Sequence, residues 1–249
     1  MPVSKKAKKP KVSSADTKGP RVSSGIPGLD RRIGGGFIRG SVNLLSGGAG
    51  TGKTIFALQF LQDGIQKGEL GLFISMEEDL SELKEDAKSF GWDFDRYEQQ
   101  GKVKFMYFYP YDLSDFQSQL ISEITKTGAT RVVIDSTSVF GMALEDEYEV
   151  RKQLYAFASQ LKRLKCTTIL TSEIVGEPSL SASSSLSRFG VEEFVSDSVI
   201  TLYYAGLGGE NDRALRIIKM RRTNQDKGVI PFKIGTKGIE VLSKEKNYK

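Results

Sequence analysis

The residues best equipped for chemistry lie in one short run, Gly47-Gly48-Ala49-Gly50-Thr51-Gly52-Lys53-Thr54. Gly47, Gly52, Lys53 and Thr54 fall at the spacing G-x-x-x-x-G-K-[ST], and the chemistry this spacing serves is phosphate binding. Glycines let a backbone curl around a phosphate where a Cβ would clash. The curled loop turns its N–H groups inward, and a helix opening near Lys53 adds the positive end of its dipole. Lys53 is expected to reach the β- and γ-phosphates of ATP, and the Thr54 hydroxyl to ligate magnesium. Asp135 ends the apolar run that starts at Arg131, the place of a second magnesium partner. Hydrolysis also needs a group that orients and deprotonates water. Glu77 and Glu78 follow the run Gly71–Ser75; one is expected to be the base and the other its support, although acidic residues also suit the start of the next helix. Thr171, Ser172 and Glu173 end a further run, where a hydroxyl either senses the γ-phosphate or caps.

These groups need elements to hold them. Ser41–Ser46, Gly71–Ser75, Val103–Tyr107, Arg131–Asp135 and Thr167–Ser172 read as strands. Val132, Val133 and Ile134 are all β-branched, as a strand buried on both faces requires. Thr54 to about Lys67 reads as a helix with Phe56, Phe60 and Leu61 on one face and Gly68 past its end. Leu80–Phe90 and the series Phe116, Leu120, Ile124 give two more helices. Val150, Leu154, Phe157, Leu161 and Leu164 recur at helical spacing and give a fourth. The alternation predicts an α/β fold with a mostly parallel sheet and helices on both faces. Runs at 199–204, 214–220, 229–234 and 238–242 read as successive strands with short turns, an antiparallel C-terminal extension at the sheet edge.

Composition narrows the function classes. The chain has 249 residues, no histidine and one cysteine, which excludes a His-based triad, a zinc site and an internal disulfide. Cys166 lies in an apolar run and reads as an inert core thiol. A reducing, cytoplasmic compartment fits this usage. No apolar run reaches the roughly 18 residues of a membrane span. Six of the 36 Lys and Arg residues fall in the first 20 positions, against Asp16 alone of the 31 acidic ones. The body therefore carries 30 charges of each sign, and the basic balance belongs to the tail. Residues 1–20 hold almost no large apolar side chains and are expected to be a disordered basic tail, with 21–249 forming one domain. The tail is either solubilising or an electrostatic arm for nucleic acid.

Five motifs carry a family resemblance: Ser24-Gly25-Ile26-Pro27-Gly28-Leu29-Asp30, the glycine loop, Ser75-Met76-Glu77-Glu78, Gly190-Val191-Glu192-Glu193-Phe194 and Lys219-Met220-Arg221. In this order they resemble the KaiC-like branch of the RecA superfamily over about residues 21–243, most closely its single-domain archaeal ATPases. The resemblance implies a RecA-type P-loop core and a homo-oligomeric ring, often a hexamer, with ATP between subunits. It implies catalysis by Glu77 and Glu78 together with Lys53. It also implies that Lys219 and Arg221 reach a neighbour's γ-phosphate, with Thr223 and Lys227 near the nucleotide. Lys219 and Arg221 are i and i+2, so on a strand they share a face. A transferred arginine is worth roughly 10³–10⁵ in rate. Two positions depart from the family. Gln225 stands where a histidine is frequent, and Glu193-Phe194 stands where the autophosphorylating members carry Ser and Thr, so no phosphorylation cycle is expected there.

Two further readings compete with an ATP-driven oligomeric switch that signals to a protein partner. One is a recombinase-like DNA-binding ATPase, with the loop 176–188 facing the bore of a ring. That loop holds only Arg188 against Glu177, whereas loops that track DNA carry more positive charge. The other is a nucleotide-binding scaffold with little turnover.

Overall fold

The computed structural model describes residues 19–109, 113–139, 146–174, 186–204 and 213–242. Residues 1–18 of the expected tail and 176–185 of the expected bore loop lie outside this set.

Six parallel strands form the centre: β3 (Val42–Gly47), β4 (Gly71–Ser75), β5 (Val103–Tyr107), β6 (Arg131–Asp135), β7 (Thr167–Glu173) and β8 (Ser198–Tyr204). Three antiparallel strands continue the sheet past β8: β9 (Arg213–Met220), β10 (Val229–Gly235) and β11 (Gly238–Val241). The order is β11-β10-β9-β8-β3-β7-β6-β4-β5. This is the RecA-type α/β architecture expected from the sequence, with one correction: of the four C-terminal runs, the first pairs parallel with β3 inside the sheet, and only the last three form the antiparallel extension.

Alternation along each strand divides the interior into two cores. Leu45, Phe73 and Val133 point to one face, where α1 (Lys53–Gln66), α2 (Leu80–Ser89) and α3 (Phe94–Gln99) pack. Leu44, Leu72, Ile74, Val132 and Ile134 point to the other, beneath α4 (Leu113–Thr127), α5 (Glu147–Arg163) and α6 (Glu192–Val195). Phe56 and Phe60 of α1 are fully buried, each contributing about 1.5–3 kcal/mol of apolar transfer. Asp79, Asp93 and Asp146 cap α2, α3 and α5 by accepting from backbone N–H groups. The short pair β1 (Arg21–Val22) and β2 (Phe37–Ile38) closes the lead-in. Gln59 of α1 fastens that lead-in to the sheet edge, donating to the carbonyls of Gly25 at 2.9 Å and Ile239 at 3.0 Å and accepting from the Ile239 amide at 2.7 Å.

Arg131 opens an apolar strand in the sequence, yet its side chain is fully buried. It pairs with Glu69 at 2.6 Å and Asp63 at 3.0 Å, donates to the Phe60 carbonyl at 2.6 Å, and lies 4.6 Å from the Phe60 ring centroid. Gly64 makes the room: a Cβ there would sit 2.4 Å from Arg131 Cδ.

Candidate functional site

Parallel strands bring their carboxyl ends to one edge, where α/β ligand sites gather. Gly47 pairs with Glu173 on one side and Leu202 on the other, and Ser75 pairs with Asp135. The glycine loop leaves β3 at this edge and enters α1. Between them opens a cleft of about 300 Å³, floored by Gly50, Gly52, Lys53 and Thr54 and walled by Glu77, Glu78, Asp135 and Glu173. A larger open cleft of about 850 Å³ adjoins it on the outer side of Glu77, between α2 and the rings of Tyr107 and Tyr109.

The start of α1 differs from that of the aspartate-capped helices. Its N-cap is Gly52, at φ 103°, and no side chain caps its first turn. The first-turn amides of a helix lack intrahelical acceptors, so these face the cleft as anion donors. Lys53 Nζ donates to the carbonyls of Gly47 at 3.1 Å and Gly48 at 3.0 Å, which lays the ammonium across the loop. Thr54 Oγ1 donates to Asp135 Oδ2 at 2.8 Å, and Thr171 Oγ1 donates to Asp135 Oδ1. The sequence thus placed Thr171 on the right edge but not its partner: it orients Asp135 and caps no helix. Ser172 likewise turns away from the cleft, donating to Glu192 at 3.0 Å.

The two glutamates are held differently. Ser136 Oγ donates to Glu77 Oε1 at 2.6 Å. Ser75 Oγ instead grips the Glu78 backbone, donating to its carbonyl at 2.5 Å and accepting from its amide at 3.1 Å. Glu77 is therefore anchored by its carboxylate and Glu78 by its main chain.

Charge is unbalanced in the cleft. Withdrawal from water raises the Glu77 carboxyl above its ordinary range; the Ser136 bond opposes this, while the charges of Asp135 and Glu173 reinforce it. Glu78 is raised by desolvation and then by Asp135, Asp86 and Glu77. Burial raises Asp135 against the pull of the Thr171 and Thr54 hydroxyls and of Lys53. Four carboxylates around one ammonium make a site that favours added positive charge.

The structure places the remaining expected residues elsewhere. Lys219 pairs with Val199, and the Arg221 amide bonds the Asp197 carbonyl, at the strands' amino ends. The Asp197 amide in turn bonds Val42 at the start of β3. Val42 lies five residues before Gly47, roughly 16 Å along the strand. Lys219 Nζ donates to the carbonyls of Glu193 at 2.9 Å and Ser196 at 2.8 Å. Burial, and then the charge of Arg221, hold its ammonium below the usual lysine range. Arg221 falls one residue beyond β9 and pairs with Asp197 at 3.4 Å. Thr223 and Lys227 lie in the turn that follows, with the Thr223 hydroxyl on the Arg221 carbonyl. None of these four lines the cleft of its own chain.

Three contributors escaped the sequence reading. Ser136 anchors Glu77, Asp197 ties the amino edge to Lys162 and Arg221, and Tyr204 donates to the Gly50 carbonyl. Asp197 carried a readable signal, an acidic residue just before an apolar strand, but nothing marked its partners.

Similarity to known proteins agrees with this geometry. The family described as "ATPase: KaiC" matches residues 22–246. The circadian clock protein KaiC3 of Synechocystis is 36% identical over 234 residues, covering 89% of this chain and 45% of that protein. The circadian clock oscillator protein KaiC of Thermosynechococcus vestitus is 37% identical over 241 residues, covering 92% and 45%. The chain therefore spans about half the length of these curated relatives. The crystal structure of the KaiC-like protein PH0186 from Pyrococcus horikoshii superposes with a TM-score of 0.80 at 39% identity, covering 90% of this chain and 99% of that one. With the glycine loop, its facing carboxylates and the sheet order all in agreement, the chain belongs to the KaiC family of ATPases.

Proposed function

We propose that this chain hydrolyses ATP with magnesium as a cytoplasmic homo-oligomeric ring, a hexamer, whose nucleotide state signals to a protein partner. The observation that carries the reading is the Thr54–Asp135 hydrogen bond at the foot of the phosphate loop, facing Glu77 and Glu78. A hydroxyl and a carboxylate are hard oxygen donors and fit magnesium. Among the described residues no group of three or more His, Cys, Asp or Glu is arranged to hold a metal ion. Magnesium that binds with a nucleotide keeps waters and phosphate oxygens and needs only one or two protein ligands. Held there, magnesium would neutralise charge on the phosphates. In this reading the loop amides and Lys53 bind the phosphates, and Thr54 and Asp135 hold the metal. Glu77, fixed by Ser136, accepts the proton of the attacking water, with Glu78 as support.

Lys219, Arg221, Thr223 and Lys227 are assigned to the neighbouring copy's nucleotide. Their position on the opposite sheet edge supports action in trans. No helix among the described residues is long and apolar enough to cross a membrane. Nothing described favours the nucleic-acid reading, which rested on segments largely outside the described set.

Nucleotide binding and phosphate release, measured on the same samples, test the proposal. Lys53→Ala is expected to lose ATP binding. Glu77→Gln is expected to keep binding and lose roughly 10²–10⁴ in turnover, the worth of a general base. Normal turnover in Glu77→Gln would move the base to another residue. Wild-type protein that binds ATP yet releases no phosphate would replace hydrolysis with a scaffold role.

A further inference from the structure

We propose that Tyr204 and Arg213 form a brace that fixes the Gly50–Thr51 peptide of the phosphate loop and so tunes nucleotide affinity. The inference rests on the phosphate-binding role proposed above. Tyr204 ends β8 and Arg213 begins β9, and the two are directly paired in the antiparallel register. Opposed residues project from the same face of a sheet. The Tyr204 hydroxyl donates to the Gly50 carbonyl at 2.8 Å. Arg213 Nη2 donates to the phenol oxygen at 3.3 Å, and its guanidinium lies 5.1 Å from the ring centroid.

The geometry gives this contact a direct consequence for the loop. In a planar trans peptide the C=O and N–H point in opposite directions. Holding the Gly50 oxygen toward β8 therefore turns the Thr51 N–H away from Tyr204. A loop that binds phosphate through its amides depends on such orientation. Gly50 sits at φ +69°, and a Cβ there would meet the Tyr204 hydroxyl at 3.2 Å, so glycine both permits the turn and leaves space for the phenol. The Arg213 donation polarises the phenol and strengthens its own donation, as linked hydrogen bonds do. It also fixes a positive charge beside a site that receives phosphates. The brace serves the loop rather than the core, because Tyr204 is 48% exposed. Tyr204 and Arg213 are positioning residues, and neither lines the cleft.

The experiment is calorimetric titration of the full chain with ADP and with ATP, using Lys53→Ala as the blank. Tyr204→Phe keeps the ring and removes the donor. It is expected to weaken both dissociation constants roughly two- to tenfold, the range of one net hydrogen bond. KM for ATP should rise in step, with a much smaller change in kcat, while the melting temperature without nucleotide falls by no more than about 4 °C. Arg213→Gln should weaken binding in the same direction and add little in the Tyr204→Phe background, because the two act as a unit. Unchanged dissociation constants in Tyr204→Phe, beside a wild type that binds, would overturn the brace and leave the proposed function standing. Fully additive losses would overturn the relay through Arg213. A wild type that binds no nucleotide would remove both the brace and the reading beneath it.

Discussion

Cys166 shows how far one side chain's chemistry is set by its surroundings. It is 1% exposed, its thiol donates to the Ala129 carbonyl at 3.2 Å, and burial pushes it up to about 11. The thiolate is the reactive form, so the folded protein is expected to resist iodoacetamide at pH 8 and to react once unfolded, as mass spectrometry would read. The folded value lies above the unfolded value of about 8.5. The thiol's contribution to stability is therefore present below that pH and is lost as pH rises toward 11. Prompt stoichiometric alkylation of the native protein would contradict the enclosed thiol. This residue was legible from its apolar neighbours, and the phosphate loop from its own spacing. Ser136 and Tyr204 were not, nor was the partner of Thr171, because these contacts depend on register. Thr171 meets a residue 36 positions away and Tyr204 one 154 positions away, distances that no local pattern encodes.

The elements repeat this division. Short apolar runs marked the parallel strands, β6 most clearly by its β-branched Val132, Val133 and Ile134, and apolar recurrence marked α1, α2, α4 and α5. The four-residue α6 and the two-residue β1 and β2 are too short for any period to show. The buried Arg131 was also hidden, because one charge at a strand's first position reads as an exposed end. Its pairing with α1 makes a coupled prediction. Arg131→Ala removes the cation that Asp63 and Glu69 share; Asp63 keeps Lys67 and Glu69 keeps Arg39, so the expected cost is about 3 kcal/mol, the low end for breaking a buried pair. Burial pushes the Glu69 carboxyl up, but the bonds and charges of Arg131 and then Arg39 together outweigh it and hold the group below its ordinary range. That contribution is present above the unfolded glutamate value and is lost as pH falls, and Arg131→Ala should reduce it to the part that Arg39 supplies. Gly64→Ala alone should also destabilise, since its Cβ would collide with Arg131. In the Arg131→Ala background the collision is gone, and alanine gains about 0.8–1.0 kcal/mol of helix propensity over glycine. The double variant should then be no less stable than Arg131→Ala alone in urea unfolding. Additive losses would show that Gly64 is required for a reason other than the arginine.

At the scale of the whole molecule, the sheet separates two sets of chemical groups. The cleft occupies the carboxyl edge, and Lys219 and Arg221 occupy the amino edge, held by the carbonyls of 193 and 196 and by Asp197. The motif alone placed the lysine and arginine on one face of a strand; in the structure Arg221 lies in the turn just past β9, and the sheet reveals which edge both reach. A chain cannot bring both edges to one nucleotide, but head-to-tail neighbours in a closed ring can. Subunit mixing separates this arrangement from a merely structural role for Arg221. Lys53→Ala subunits keep the arginine and lack a working cleft, while Arg221→Ala subunits keep the cleft and lack the arginine. Each alone is expected to turn over near the blank, given the roughly 10³–10⁵ that a donated arginine is worth. Dissociated, mixed in equal amounts and reassembled, they should recover about a quarter of the wild-type rate, because half the subunits carry a cleft and half of those adjoin an intact arginine in a head-to-tail ring. Light scattering establishes that mixed assemblies have formed and gives their size. If such assemblies stay inactive, Arg221 works within its own subunit through Asp197, and the site is not shared between copies.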